Sequence, residues 1–258
     1  MDEFNGHIVK YANEMNDIVF SDFSEQELNM LFALITNMKD RDVKRATFSY
    51  SEMKKAMGLG NIHMTNAEFT KKLRKMLIKF CKVTSHIQTK KTCVPFVLFS
   101  NFFFDEDSRQ ICLAVNPNFA FMLNKPKNYT KFQLEEFIRI DGKYAKLLYP
   151  HLCQFRTSGN YKVRFDDFRR LLCVPKSYEN KRIKEKVINP CLNELRRLEE
   201  FKNLQCEVYY SHQNKIERYE FVWKASMKEK EADKEEESAV SIVDVIAVGD
   251  AFDDDDLS

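Results

Sequence analysis

The feature that most constrains the fold is a ten-residue pattern that occurs twice, at residues 50–59 and at residues 165–174. Each copy starts with an aromatic residue, Tyr50 or Phe165, and carries two adjacent cations at its fifth and sixth positions. The two copies agree in residue character at almost every position and are 115 residues apart. A repeat at this spacing predicts two copies of one structural unit.

The first copy lies inside a helix, strand, helix, helix, hairpin pattern. A Ser24-x-x-Glu27 capping box opens a helix whose apolar residues share one face. These residues are Leu28, Leu31, Phe32, Ile35 and Met38. We then expect a strand at 46–50, a short helix from a Ser51 cap through Met57 to Gly58, and a longer helix starting at Thr65 or Asn66. Two strands, 94–104 and 110–115, complete the unit around an acidic turn.

The same order recurs in the second half of the chain. We expect a helix at 142–155, a strand at 161–164, a short helix capped by Asp166 and a long helix at 180–198. A hairpin of 201–210 with 218–224 follows, and a linker at 116–131 joins the halves. Pro190 should kink the long helix or start a new segment, because proline lacks the amide needed inside a helix.

This order is that of a winged helix, in which a helix-turn-helix precedes a β-ribbon wing. The predicted fold class is α+β, with two tandem winged-helix domains and a disordered acidic C-terminal tail. We expect an N-terminal domain at 1–120, a C-terminal domain at 121–227 and the tail at 228–258.

The charge distribution points to nucleic acid as a partner. The net charge is only +2, but the tail holds three lysines and twelve acidic residues, a net of −9. Residues 1–227 then hold 38 basic and 27 acidic residues, a net of +11, which favours an anionic partner. The tail is either a solvated, self-repelling segment or a docking peptide, and the sequence leaves both open.

The second helix of each helix-turn-helix, the recognition helix, carries the candidate DNA-binding residues. Its N-terminal half enters the major groove, where Lys and Arg neutralise phosphates and read guanine. The first-domain candidates are Lys71, Lys72, Arg74, Lys75 and Lys79, with Lys82 nearby. The second-domain candidates are Lys176, Ser177, Tyr178, Lys181, Arg182, Lys184 and Lys186, with Asn180 beside them. Tyr178 either contacts DNA or packs locally.

The motifs of common enzymes and metal sites are missing from the sequence. It has no GxxxxGK[ST] loop, and its five histidines form no HxH or HExxH spacing. A nickase needs a histidine pair beside a nucleophilic tyrosine, and Tyr178 has no such pair. We therefore expect no enzymatic activity, no cofactor and no catalytic or metal residue.

The cysteines and the apolar runs predict where the protein works. Seven scattered cysteines without a CxxC pair are typical of a reducing cytoplasm. The longest apolar run, residues 94–99, is far shorter than the roughly 18 residues of a membrane helix. The N-terminus is acidic and polar, unlike a signal peptide. We expect a cytoplasmic protein with no membrane partner.

A set of ordered motifs carries a family resemblance. The motifs include a Tyr-Ala-Lys-Leu-Leu-Tyr run at 144–149, near a helix start, and a Val-x-x-Pro-x-Leu-x-Glu-Leu helix. The matching segments are 116–117, 129–132, 143–149, 154–156, 165–172, 176–178 and 187–195. In this order they resemble the iteron-binding plasmid replication initiators. Two positions depart from the pattern: Pro150 lies inside a helix, and Cys173 stands where glycine is commoner.

The resemblance implies binding of double-stranded origin DNA at direct repeats by two winged-helix domains, and no catalytic step. It also implies melting of a neighbouring region, recruitment of the host initiator and the replicative helicase, a homodimer formed through the N-terminal domain, and repression of the protein's own gene. By this analogy the helix at 176–186 carries most base readout, and Arg156 is a phosphate-contact candidate.

Two other functions fit the same pattern of residues. A tandem winged-helix transcriptional regulator without a replication role is the main alternative, although a regulator usually needs a sensing or dimerisation domain. A structural adaptor that binds a protein through its basic faces is the second.

Overall fold

The computed structural model describes residues 7–38, 46–57, 59–60, 62–88, 93–124 and 128–225. Its strands are β1 (Ile8–Ala12), β2 (Ala46–Ser49), β3 (Thr84–Gln88), β4 (Cys93–Val97), β5 (Phe99–Asp105), β6 (Gln110–Val115), β7 (Tyr129–Gln133), β8 (Asn160–Arg164), β9 (Gln205–Tyr210) and β10 (Ile216–Val222). Its α-helices are α1 (Glu25–Met38), α2 (Tyr50–Ala56), α3 (Asn66–Phe80), α4 (Pro117–Asn124), α5 (Leu134–Arg139), α6 (Lys143–Gln154), α7 (Phe165–Leu171), α8 (Asn180–Ile183) and α9 (Asn189–Leu195). Gly58 and the predicted tail, 228–258, lie outside these residues.

The predicted order of elements is present in both halves. In the first half, the chain runs through α1, β2, α2 and α3 before it reaches β5 and β6. Strands β2, β6 and β5 then form one sheet in that order. In the second half, the chain runs through α6, β8, α7 and the α8–α9 segment before it reaches β9 and β10. Strands β8, β10 and β9 form the second sheet in that order. Both sheets are antiparallel, and in each one the first strand of the unit pairs with a strand of the wing. The α+β class with two winged-helix units is confirmed.

The first helix of each helix-turn-helix ends in the same way. In α2 the Leu59 amide donates to the Lys54 carbonyl at 2.8 Å, and in α7 the Val174 amide donates to the Arg169 carbonyl at 2.9 Å. Each donor–acceptor pair occupies equivalent positions of the sequence repeat. The residue before Val174 is Cys173, which has φ of 55°. This is a Schellman ending, which favours glycine at that position because the conformation is left-handed.

The observed helix caps agree with some of the expected helix starts and differ from others. The Ser24/Glu27 capping box is confirmed, and Thr65 caps α3 in a second box with Glu68. The Ser51 cap is wrong, because Ser49 forms the capping box with Glu52 and α2 starts at Tyr50. The S-x-x-E spacing of Ser49 and Glu52 predicts this cap, whereas Ser51 has no such partner three residues later.

The Asp166 cap is also wrong. Helix α7 begins at Phe165, and the residue at its N-cap position, Arg164, is two residues before Asp166 and makes no side-chain capping bond. Asp166 instead stands in the first turn, where an acidic side chain favours the helix through its dipole.

The expected single strand at 94–104 is wrong. It is two strands, β4 and β5, separated at Leu98, which is fully buried and donates its amide to the Val83 carbonyl. Strand β4 pairs with β3, a strand the sequence pattern did not predict. A continuous apolar run carries no period of two, so the break inside it is invisible in the sequence.

The expected linker at 116–131 is wrong as well. It contains α4, whose Phe119, Met122 and Leu123 are buried, and the start of β7. Strand β7 pairs antiparallel with β1, so the N-terminal residues meet the middle of the chain. This pairing joins residues more than 110 positions apart, and such long-range pairing leaves no local pattern.

The expected helix at 180–198 is three segments. Helix α8 passes into a π-helical turn, Lys184–Ile188, and then into α9, where Pro190 stands in the first turn. Pro190 therefore starts a new segment, as predicted. The π turn shifts the register of the helix where its charged half meets its apolar half.

The second hairpin has a shorter first strand than expected, and its second strand starts two residues earlier than expected. Residues Glu199–Phe201 form a 3-10 turn with Phe201 fully buried, and β9 starts only at Gln205. On the other side, β10 runs from Ile216 to Val222.

The two halves share one hydrophobic core. Phe32 of α1 packs against Phe137 of α5 with ring centroids 4.6 Å apart, and Phe132 packs against Tyr149 of α6 at 5.2 Å. Buried polar groups bridge the same region, where the Asn16 side chain donates to Thr130 and to Gln154. The N-terminal segment through α1 is therefore tied to β7, α5 and α6 by apolar packing and by satisfied polar groups.

Candidate nucleic-acid interface

The second recognition helix presents its cations to solvent. Ile183 and Val187 are fully buried and fix the inward face of α8 and of the π turn. The predicted DNA-binding cations on the outward side, all exposed, are Lys181, Arg182, Lys184 and Lys186. None of the four forms an ion pair with a described residue. The apolar face thus orients the helix, and the charged face is left available to an anion.

The turn that leads into α8 holds the other second-domain candidates. Lys176 and Ser177 are exposed, while Tyr178 is half-buried and packs against the core. The guanidinium of Arg182 lies 4.3 Å from the centroid of the Tyr178 ring, a cation–π contact. The tyrosine therefore packs locally and also contacts a predicted DNA-binding residue.

Arg156 has a different environment. Its Nη2 atom lies 2.8 Å from Glu200 Oε2, and the side chain is 12% exposed against 20% for the glutamate. A largely buried ion pair of this kind is costly to break, because the partner would be left charged and unpaired. This surrounding sets Arg156 apart from the exposed cations of the recognition helix.

The first recognition helix, α3, has most of its candidate cations engaged. Lys72 Nζ donates to the Gln26 side chain. Arg74 Nη2 lies 2.5 Å from Glu106 Oε1, and its guanidinium lies 5.0 Å from the Phe104 ring. Lys71 and Lys75 are exposed, and neither forms an ion pair with a described residue.

Lys79 is the most firmly held cation of α3. Its Nζ donates to Glu27 at 2.9 Å and to the Asp22 carbonyl at 2.6 Å. Burial raises the pKa of Glu27, but hydrogen bonds from Ser24 and Lys79 outweigh it and hold the pKa below the usual 4.5. Glu27 is therefore ionised at neutral pH and binds Lys79 to the start of α1. Nearby Lys82, just after α3, is exposed.

Sequence reasoning missed the residues that hold these cations. Gln26, Glu27 and Glu106 come from α1 and from the acidic turn of the first hairpin, far from α3 in the chain. The acidic character of that turn was the one available signal. It also missed Lys54 and Arg169, whose side chains bond the turns before the recognition helices.

The part of the chain that the structure describes holds neither a candidate metal site nor a candidate membrane helix. Within it, no cluster of three or more His, Cys, Asp or Glu side chains could hold a metal ion. No helix in the same part of the chain is long and apolar enough to cross a membrane.

Two family models match the chain. The model described as "Initiator Replication protein, WH1" matches residues 8–153, which is more than half of the chain. The model described as "Initiator Rep protein, WH2" matches residues 164–223. The chain belongs to the initiator Rep protein family. The WH1 match spans α1 to α6 and includes α3, and the WH2 match includes α7, α8 and the second hairpin. The domain boundary at 120/121 falls inside the WH1 match and stays a prediction.

The known relatives agree with this family. A curated relative, "Probable replication protein rep" of Bifidobacterium longum (strain NCC 2705), is 31% identical over 174 residues. That alignment covers 67% of this chain and 58% of the relative, so the chain spans little more than half of the relative's length.

A solved structure shares the fold of this initiator Rep chain. It is described as "Crystal structure of Pi initiator protein in complex with iteron DNA". The superposition has a TM-score of 0.59 with 12% identity, and it covers 85% of this chain and 98% of that one. The agreement over both halves confirms the tandem winged-helix architecture.

Proposed function

We propose that this chain is a plasmid replication initiator that binds directly repeated origin sequences, or iterons, through its two winged-helix domains. The observation that carries the proposal is the row of exposed cations on the WH2 recognition helix: Lys181, Arg182, Lys184 and Lys186. Cations there can neutralise phosphates, and an arginine can read guanine O6 and N7. The family match, the relative named as a replication protein, and the iteron DNA bound by the Pi initiator support the same function.

Within this function we propose a division of labour between the two recognition helices. The WH2 helix, with Lys176, Ser177 and Tyr178 at its entrance, reads bases and contacts phosphates. The α3 helix contributes phosphate contacts mainly through Lys71 and Lys75, since Lys72, Arg74 and Lys79 are engaged within the protein. We propose that Arg156 supports the fold through Glu200 rather than contacting a phosphate.

The later steps of replication initiation are proposed by analogy with the iteron-binding initiators. We propose that the bound protein helps to melt a neighbouring stretch of the origin and recruits the host initiator and the replicative helicase in the cytoplasm. We further propose that a homodimer formed through the N-terminal domain represses the protein's own gene. Binding free energy drives these steps, and no catalytic residue is needed.

The proposal can be tested without knowing the origin. The wild-type chain is used to select duplexes from a random-sequence library, and the enriched sequence is then located in the DNA beside its own gene. Tandem direct copies of the enriched sequence with a matching footprint are the expected result. A lone palindrome would favour the transcriptional regulator, and no enrichment at all would contradict both DNA-reading functions.

A matched pair of variants then tests the interface. Arg182→Ala should weaken binding to the selected duplex, because it removes an exposed cation of the WH2 helix. Arg197→Ala serves as the control, since it removes the same charge from a 70% exposed residue that lies just beyond α9 and pairs with Glu194. Equal binding by Arg182→Ala and Arg197→Ala would contradict the assignment of the recognition helix.

A further inference from the structure

We propose that one cation on the first helix of each helix-turn-helix is a positioning residue that clamps the turn before the recognition helix. The residues are Arg169 of α7 and Lys54 of α2. Their effect on DNA binding rests on the proposed function, but their effect on the turn does not.

Arg169 joins α7 to the turn through two backbone carbonyls. Its Nη1 donates to the Tyr178 carbonyl at 2.9 Å, and its Nη2 donates to the Pro175 carbonyl at 2.7 Å. Its guanidinium also lies 5.6 Å from the Phe165 ring, at the start of the same helix. The planar fork of an arginine holds two acceptors in a fixed relative geometry, so this one side chain fixes both ends of the Pro175–Tyr178 turn.

The clamp reaches the DNA-facing side through Tyr178. Arg169 holds the tyrosine by its carbonyl, and the tyrosine ring lies under Arg182. The Tyr178 amide in turn donates to the Pro175 carbonyl at 3.0 Å, which closes the turn. The Tyr178 ring therefore supports Arg182, and the backbone of Tyr178 is held by Arg169 from α7. This arrangement lowers the entropic cost of ordering the Arg182 side chain against a base.

Lys54 occupies the equivalent position in the first half and makes the equivalent contact. Its Nζ donates to the Met64 carbonyl at 3.3 Å, in the turn directly before the Thr65 cap of α3. The same ammonium lies 5.1 Å from the Phe69 ring in the first turns of α3. The same contact at the same repeat position in both halves argues against a chance surface bond. A lysine offers a point charge and here makes one bond where the arginine makes two.

The clamp can be measured in the free protein by hydrogen–deuterium exchange of single amides. In Arg169→Gln, the Tyr178 and Ile183 amides should exchange several-fold faster than in the wild type, while the Arg196 amide of α9 should not change. Arg169→Lys should restore part of the protection, since a lysine can still bond one carbonyl. Arg197→Gln, which removes an equal charge beyond α9, should leave the turn unchanged. Unchanged exchange at Tyr178 and Ile183 in Arg169→Gln would overturn the clamp.

A second measurement separates positioning from a direct DNA contact. With the selected duplex as probe, Arg169→Gln should bind about tenfold more weakly, while its affinity for a scrambled duplex and its salt slope stay at wild-type values. A phosphate contact would instead weaken both duplexes and lower the salt slope by about one. That outcome would overturn the positioning role.

The same pair of measurements is applied to Lys54→Gln, with Lys54→Arg as the conservative variant. We expect a smaller effect on the Phe69 amide and on binding, because Lys54 makes one bond. If the wild-type chain selects no duplex, the proposed function fails, and the exchange measurement still decides whether the clamp exists.

Discussion

The two recognition helices carry similar charge but differ in how much of it is free. In α3, Lys72, Arg74 and Lys79 are bound to groups from α1 or the first hairpin. In α8 and the π turn, the cations face solvent, and Arg182 is ordered on Tyr178 without being neutralised. A basic helix face is thus open to an anionic partner only where the fold brings no acidic or carbonyl group against it. This difference is the basis for our proposal that the WH2 helix reads bases and the WH1 helix adds weaker phosphate contacts.

The largest expected effect is on the WH2 helix. Arg182→Ala or Lys181→Ala should weaken binding to the selected duplex by about tenfold, within the ~1–3 kcal/mol of a good base contact. Arg74→Ala should cost about twofold, because Arg74 must first leave Glu106. Fluorescence anisotropy titrations at one salt concentration measure both. If Arg74→Ala cost as much as Arg182→Ala, the two helices would be equivalent readers.

The next prediction tests whether the Tyr178 ring positions Arg182 for binding. Tyr178→Leu removes the ring under the guanidinium and should weaken specific binding by about threefold, near the ~0.5–1 kcal/mol of an exposed cation–π contact. Tyr178→Phe keeps the ring and should bind like the wild type. A loss in Tyr178→Phe equal to that in Tyr178→Leu would mean that the hydroxyl contacts DNA directly.

We expect tighter DNA binding by WH1 when the ion pair that holds Arg74 to Glu106 is removed. Glu106→Gln should free Arg74 and tighten binding to a scrambled duplex by about two- to threefold at low salt, because exposed pairs are worth ~0.2–1 kcal/mol. The salt slope should rise by about one. The matched control is Glu199→Gln, which breaks an exposed pair with Lys202 in the other half. A gain of equal size in the control would show a general charge effect.

The smallest effect concerns stability at the end of α7. The WH1 half has Gly58 at the repeat position where WH2 has Cys173, whose φ is 55°. Cys173→Gly should raise the free energy of unfolding by about 0.5 kcal/mol, since relief of the left-handed strain exceeds the entropy that glycine adds to the unfolded chain. Cys173→Ala keeps the β carbon and should show no gain. Urea denaturation of both variants measures their free energies of unfolding. Equal values for Cys173→Gly and Cys173→Ala would show that backbone strain at this position does not lower stability.

Much of the fold was readable from local patterns. The helix α1, the Thr65 cap, the order of elements and the new segment at Pro190 all follow from capping chemistry, apolar periodicity and the missing proline amide. The pairing of β1 with β7 and the helix α4 in the expected linker were missed, because both depend on contacts between distant parts of the chain. The cap of α2 is different, because the Ser49/Glu52 spacing is a local capping-box pattern that already predicts it.

The candidate site divides in the same way. The sequence by itself determined which helices carry the cations and which of their faces is apolar, because helical spacing depends only on neighbouring residues. Only the tertiary structure decided which cations are free. Glu27, Glu106 and Glu200 reach Lys79, Arg74 and Arg156 across 52, 32 and 44 positions of sequence. Electrostatic pairing depends on distance in space, and no local pattern of charge specifies it.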